Sequence, residues 1–160
     1  MSALSAHPSV PHIDAEAAAD AHAVEALVLA AFGPGRFAKT AERLREGAGV
    51  AAGFVARDST EVLGSVRLWS VTVGGQAALF LGPIAVATHN RRAGLGAELV
   101  QACLTWAGAA GKGVLLVGDA PYFGSFGFEA APDVRLPGPV DPRRVLWRGD
   151  SPAAGMVLPA

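Results

Sequence analysis

The sequence predicts an α/β fold of the α+β kind, with a mixed, mostly antiparallel central sheet that contains one parallel, splayed pair of strands. Three observations predict it. Two runs rich in valine and aromatics, Val50 to Arg57 and Val62 to Val73, flank a polar Asp58-Ser59-Thr60, and Gly74-Gly75 turns the chain into a third run, Ala78 to Val86. That is an antiparallel meander. A long apolar-periodic segment opening at Leu95 then leads to a wholly apolar run, Val114 to Val117, and a helical crossover between two apolar strands makes them parallel and central. Finally, Leu81-Gly82-Pro83 interrupts the third run with one residue that packs nothing and one that cannot donate to a ladder. Such a strand is bulged or at an edge, and it splays from its neighbour.

The remaining elements follow in order. With 160 residues, of which 51% are apolar, the chain suits one domain with a sizeable core, residues 1–160, better than two. Residues 1–12, with Pro8 and Pro11, are expected to be a loose lead-in. Asp14 to Phe32 reads as a helix capped by Asp14, with Val24, Leu27, Val28, Ala31 and Phe32 as its apolar positions and Gly33-Pro34-Gly35 as its stop. Phe37 to Glu46 reads as a second helix, whose charges make a solvated face. The Leu95 helix stops at Gly111-Lys112-Gly113, and its Leu95, Leu99, Cys103 and Trp106 share one apolar face. Asp119 and Pro121 suit the start of a one-turn helix, Gly127 its left-handed stop, and the turn between is aromatic. Beyond Glu129, prolines space out two expected strands, Ala130 to Leu136 and Val145 to Trp147, and the tail 149–160 carries little signal.

Composition excludes several classes of function. Thirteen basic and fourteen acidic residues leave a formal charge of −1, so no global field favours nucleic acid or an anionic membrane. No basic cluster precedes an apolar core at the N-terminus, and no apolar run reaches the roughly 20 residues of a membrane span, so a cytoplasmic location is expected. The single Cys103 rules out an internal disulfide and reads as a small buried core residue. His7, His12, His22 and His89 show no metal-ligand spacing, so no metal is expected.

The chemistry concentrates where the third strand meets the long helix. Arg91-Arg92-Ala93-Gly94-Leu95-Gly96-Ala97 is a glycine loop opening a helix. Its backbone N–H groups are unpaired and converge on one spot with the helix dipole behind them, which suits a phosphate. Gly94 and Gly96 let an anion approach the backbone, and Arg91 and Arg92 would add charge-assisted contacts. A dinucleotide fingerprint of the Rossmann kind would need a third glycine where Leu99 stands. Asp119, at the end of the fourth strand, falls on the same sheet edge, as either a helix cap or a general base.

Arg91-x-x-Gly94-x-Gly96 after a bulged strand resembles the acetyl-CoA signature of the GNAT acetyltransferases, and Gly118-Asp119, Tyr122-Phe123 and Phe126-Gly127-Phe128 resemble the superfamily's fourth-helix region. Phe32-Gly33-Pro34-Gly35-Arg36-Phe37-Ala38-Lys39-Thr40 is similar to the YhbS-like predicted N-acetyltransferases. The resemblance spans roughly Asp14 to Leu136 and implies a GNAT-type sheet flanked by helices on both faces. It also implies acetyl-CoA as co-substrate, with the pyrophosphate held by N–H groups from Arg92 to Ala97 and the pantetheine paired to exposed backbone at Ile84, Ala85 and Val86. The implied reaction is direct transfer, in a ternary complex, to a primary amine of a small molecule or a peptide.

The superfamily's usual general acid is a tyrosine, and the matching position here is Phe123, with Tyr122 beside it. Either Tyr122 swings its hydroxyl to the sulfur, or the thiolate leaves with water's help or with the amine's proton. Glu42 could lie over the acceptor cleft by analogy, and His89 reads as a turn residue or a neighbour of the phosphates. Acceptor selectivity is expected from Phe32 to Glu46 and Pro132 to Trp147, and a homodimer would form through the C-terminal strands. A second reading, a non-catalytic acyl-CoA-binding or regulatory module, follows from the missing hydroxyl at Phe123.

Overall fold

A computed structural model describes residues 11–32, 40–90 and 93–160. Their strands are β1 (His12–Ala15), β2 (Val50–Asp58), β3 (Glu61–Val73), β4 (Gln76–Leu81), β5 (Ala85–Val86), β6 (Val114–Val117), β7 (Glu129–Ala130), β8 (Val134–Arg135), β9 (Val145–Arg148) and β10 (Gly155–Pro159). Their helices are α1 (Ala21–Phe32), α2 (Thr40–Gly47), α3 (Leu95–Ala110) and α4 (Ala120–Gly124), with short 3₁₀ turns at Ala18–Asp20 and Pro142–Arg144. The sheet runs β1-β2-β3-β4-β6-β9-β7, with β5 and β10 also on β3. β4 and β6 are its parallel pair, in the register Leu79 to Val114 and Phe80 to Leu115.

Alternation along the strands sorts the core into two faces. Ala56, Leu79 and Leu116 point to the α3 side, where Leu95, Leu99, Val100, Cys103 and Leu104 are buried. Their neighbours Val55, Phe80 and Leu115 point to the other side, against Val24 and Val28 of α1 and Leu44 of α2. Helices therefore cover both faces. Trp106, expected on the buried face of α3, is 36% exposed; the buried face at that end of the helix runs through Cys103, Leu104 and Ala107 instead.

The meander and the crossover match the expected order, and three expectations need correction. Asp14 is not a helix cap. It lies in β1, opposite Val55 of β2, and its carboxylate accepts from Arg57 Nε at 3.2 Å. The run from Asp14 reads as helix locally, yet Asp14 and Ala15 pair with β2, and the helix begins only after a turn in which the Asp20 carboxylate accepts the Ala17 N–H at 2.9 Å. Ala130 to Leu136 is not one strand, because a turn through Pro132 divides it into β7 and β8. The tail, which carried little signal, supplies β10: Val157 faces Val73 of β3, antiparallel, while Gly155 faces Val134 of β8, parallel.

Candidate active site

The interruption at Leu81-Gly82-Pro83 is a bulge. Leu68 of β3 faces Leu81 and Ser65 faces Ala85, so three steps along β3 answer four along its partner, and the extra residue bends the strand away. Gly82, with φ 139°, is pinned at the bend: its N–H donates to Arg67 O at 2.9 Å, and its carbonyl accepts from Trp69 Nε1. Among the described residues, β5 then pairs only with β3.

On the other side, β6 is held by β9, with Leu116 facing Leu146 and Val117 facing Val145. The parallel ladder ends at Phe80 and Leu115. Past that point the two strands part, and the gap opens into a cavity of about 760 Å³. Leu81, Gly82, Pro83 and Ile84 form one lip; Leu116, Val117, Gly118 and Asp119 form the other.

The glycine loop lies just beyond β5. Gly94 is the N-cap of α3, with φ 81°, a left-handed conformation that favours glycine. A Cβ on Gly94 would meet nothing within 4 Å, and one on Gly96 would meet only Val86 Cγ2, at 3.9 Å. Among the described residues nothing crowds Gly94, and Gly96 rests against β5. The buried Leu95 side chain anchors it in the core. The first helical bond runs from Glu98 N–H to Gly94 O, 3.1 Å, so the N–H groups of Leu95, Gly96 and Ala97 lie ahead of it at the helix's positive end. Ala93 precedes them in an exposed turn. Arg91, Arg92 and the Glu42 side chain lie outside the described residues.

The other expected residues fall as follows. Ile84 lines the gap, Val86 packs on the α3 side of the core, and Ala85 is buried against α1. Asp119 also lines the cavity, and its Oδ2 accepts the Tyr122 N–H at 3.1 Å, which makes it the cap of α4. Tyr122 is 45% exposed; its ring stands edge-on to Phe123, with centroids 4.9 Å apart, and 5.5 Å from Phe126. Phe123, not Tyr122, forms part of the cavity wall. His89 lies at the surface, with Nε2 2.8 Å from Glu61 Oε2.

Phe80 of β4 and residues from the two stretches expected to select the acceptor close the cavity: Arg45 of α2, and Val140, Asp141 and Arg144 before β9. Asp141 caps the Pro142–Arg144 turn, and Arg143, hydrogen-bonded to it, holds its carboxyl below the ordinary range. A sequence signal for this existed. Asp141-Pro142 repeats the acid-and-proline start that marks Asp119-Ala120-Pro121, and both place a turn beside the gap.

Among known proteins, the sequence model of the Acetyltransferase (GNAT) family matches residues 21–124, more than half of the chain. No curated protein matches it. The structure of the GNAT family N-acetyltransferase YhbS from Escherichia coli in complex with CoA is similar over 96% of this chain and 91% of its own, at 28% identity and a TM-score of 0.80. A GNAT family acetyltransferase from Brucella melitensis, in complex with acetyl-CoA, shares the fold over 94% of this chain and 96% of its own, at 24% identity and a TM-score of 0.73. The family match runs from α1 to α4, through the bulge, the loop and the gap, and on that ground the chain belongs to the GNAT acetyltransferase family.

Proposed function

We propose that the protein transfers an acetyl group from acetyl-CoA to a primary amine, the two substrates meeting in a ternary complex at the gap between β4–β5 and β6. The observation that carries this is the gap between the parted strands, followed after β5 by a glycine-capped helix end, in a chain similar along almost its whole length to a protein whose structure contains CoA. Acetyl-CoA supplies an activated acyl group on a good leaving thiolate. The N–H groups of Leu95, Gly96 and Ala97, with Arg91, Arg92 and Ala93, are assigned to its pyrophosphate. Backbone at Ile84, Ala85 and Val86 is assigned to the pantetheine arm, and fixing that arm in the gap contributes chiefly positioning.

Asp119 is assigned to the acceptor's ammonium proton, because it is the acidic residue that lines the cavity at the end of β6. For the thiolate, the apolar Phe123 wall and the outward place of Tyr122 favour a proton from water or from the amine over one from Tyr122. The test is calorimetry with CoA, followed by thiol release from acetyl-CoA across a panel of amines. Binding with amine-dependent release is expected, and absence of binding would contradict the proposal. The apolar Phe123 also favours a second reading, an acyl-CoA-binding module without catalysis, which binding without release from any amine would support.

A further inference from the structure

We propose that the acceptor is an amine that also carries a carboxylate on a compact apolar body, an apolar α-amino acid being its simplest member. This rests on the transferase reading of the same site. The cavity wall away from the loop is apolar, built from Val28, Phe32, Phe80 and Val140, and two arginines join it, Arg45 and Arg144. Arg45 lies over the Phe80 ring, 5.9 Å from its centroid, and its Nη1 stands 3.5 Å from where a Cβ on Gly82 would be. That puts it beside the end of β4. Arg144 sits beside the end of β6, where its carbonyl accepts the Gly118 N–H at 2.8 Å. One arginine therefore flanks each lip of the gap.

The carboxylates on the same wall have other duties. Asp141 Oδ1 accepts from the Arg143 N–H and Nε, and its Oδ2 from Arg143 Nη2; Asp119 Oδ2 caps α4. Arg143 is not part of the wall; its hydrogen bonds hold the Asp141 carboxyl low, and the charge of Arg144 adds to the effect. None of Ala93 to Ala97 lines the cavity, so the two arginines serve the acceptor side and not the diphosphate. Guanidinium forks match a carboxylate in geometry and charge, and cations at the mouth of the gap hold that carboxylate close to the reacting amine. The apolar wall takes the side chain.

The test is a titration of L-phenylalanine, L-phenylalaninamide and phenethylamine into the protein, with and without CoA, using the parent, Arg45→Met and Arg144→Met. The parent is expected to bind the free acid at least about tenfold more tightly than either uncharged counterpart, as charge-assisted bonds imply. Each variant is expected to shrink that ratio while its affinity for CoA stays unchanged, which also reports that it folds. Equal binding of acid and amide, no binding of any of the three, or a ratio unmoved by both variants would overturn the inference. Intact CoA binding without carboxylate preference strikes the acceptor inference alone, whereas failure to bind CoA strikes the transferase reading; the titration without CoA still reads the preference.

Discussion

Tyr122 and Phe123 are neighbours in sequence with opposite surroundings. Phe123 is part of the cavity wall, while Tyr122 turns its ring outward against Phe123 and Phe126. Removing a working general acid costs about 100-fold or more in rate, whereas removing a hydroxyl outside the site costs little. Tyr122→Phe is therefore expected to keep the acetylation rate within about twofold across pH. A loss of two orders of magnitude, with a change in the alkaline limb, would show that the hydroxyl reaches the sulfur. Cys103 is the opposite kind of residue. It is fully buried among α3 and sheet side chains, and burial pushes its thiol up to about 12. Since the thiolate is the nucleophile, Cys103 should resist a disulfide reagent in the native protein and react in denaturant; fast native reaction would contradict its place in the core.

At the scale of elements, the first strand depends on charge. β1 and the turn after it are tied to the sheet by Arg57, which donates to Asp14 at 3.2 Å and to both Asp20 oxygens at 3.0 and 2.9 Å, and by Arg67, which grips Glu16 with both Nε and Nη2. Asp20 is buried, and the Arg57 hydrogen bond, helped by the Ala17 N–H, holds its carboxyl below the ordinary 3.8. A depressed carboxyl stabilises the fold fully above the ordinary value and ceases to as pH falls through and below it. Asp20→Asn should lower stability by about 1.5–3 kcal/mol near neutrality, measured by urea unfolding, and the gap between parent and variant should narrow at pH about 3. An equal gap at both pH values would exclude the ion pair as the cause. The same contacts explain why the helix begins at Ala21 and not at Asp14. An alanine-rich segment favours helix on local grounds, and only Arg57 and Arg67, some forty residues on or more, make an extended segment better.

For the whole molecule, what was legible tracks how local its cause is. The β2–β3–β4 meander, the left-handed glycines at 74, 75, 94 and 111, and the capped turn at Asp119 are set by neighbouring residues. They could be read directly. β10 could not, because its role depends on strand lengths far away: β2 follows β3 only as far as Trp69, and the edge at Val71 to Val73 is left for the tail to cover. The phosphate loop was legible as a motif, and the gap was foreshadowed by Gly82-Pro83. Arg45 and Arg144 were not, since each is one charge among many until α2 and the Pro142–Arg144 turn carry them to the two lips.

The central claim is that the α3 helix end and the kinked strand together hold coenzyme A. Calorimetry with CoA on the parent and on Gly96→Glu measures it most directly. A Cβ at this site would make only an ordinary contact with Val86, so the variant should fold, while its carboxylate would stand where the diphosphate is proposed to bind. Clear binding by the parent and a loss of at least about tenfold, or 1.4 kcal/mol, in the variant is the predicted result. A parent that gives no binding heat, or a variant that binds CoA as tightly as the parent, would contradict the account.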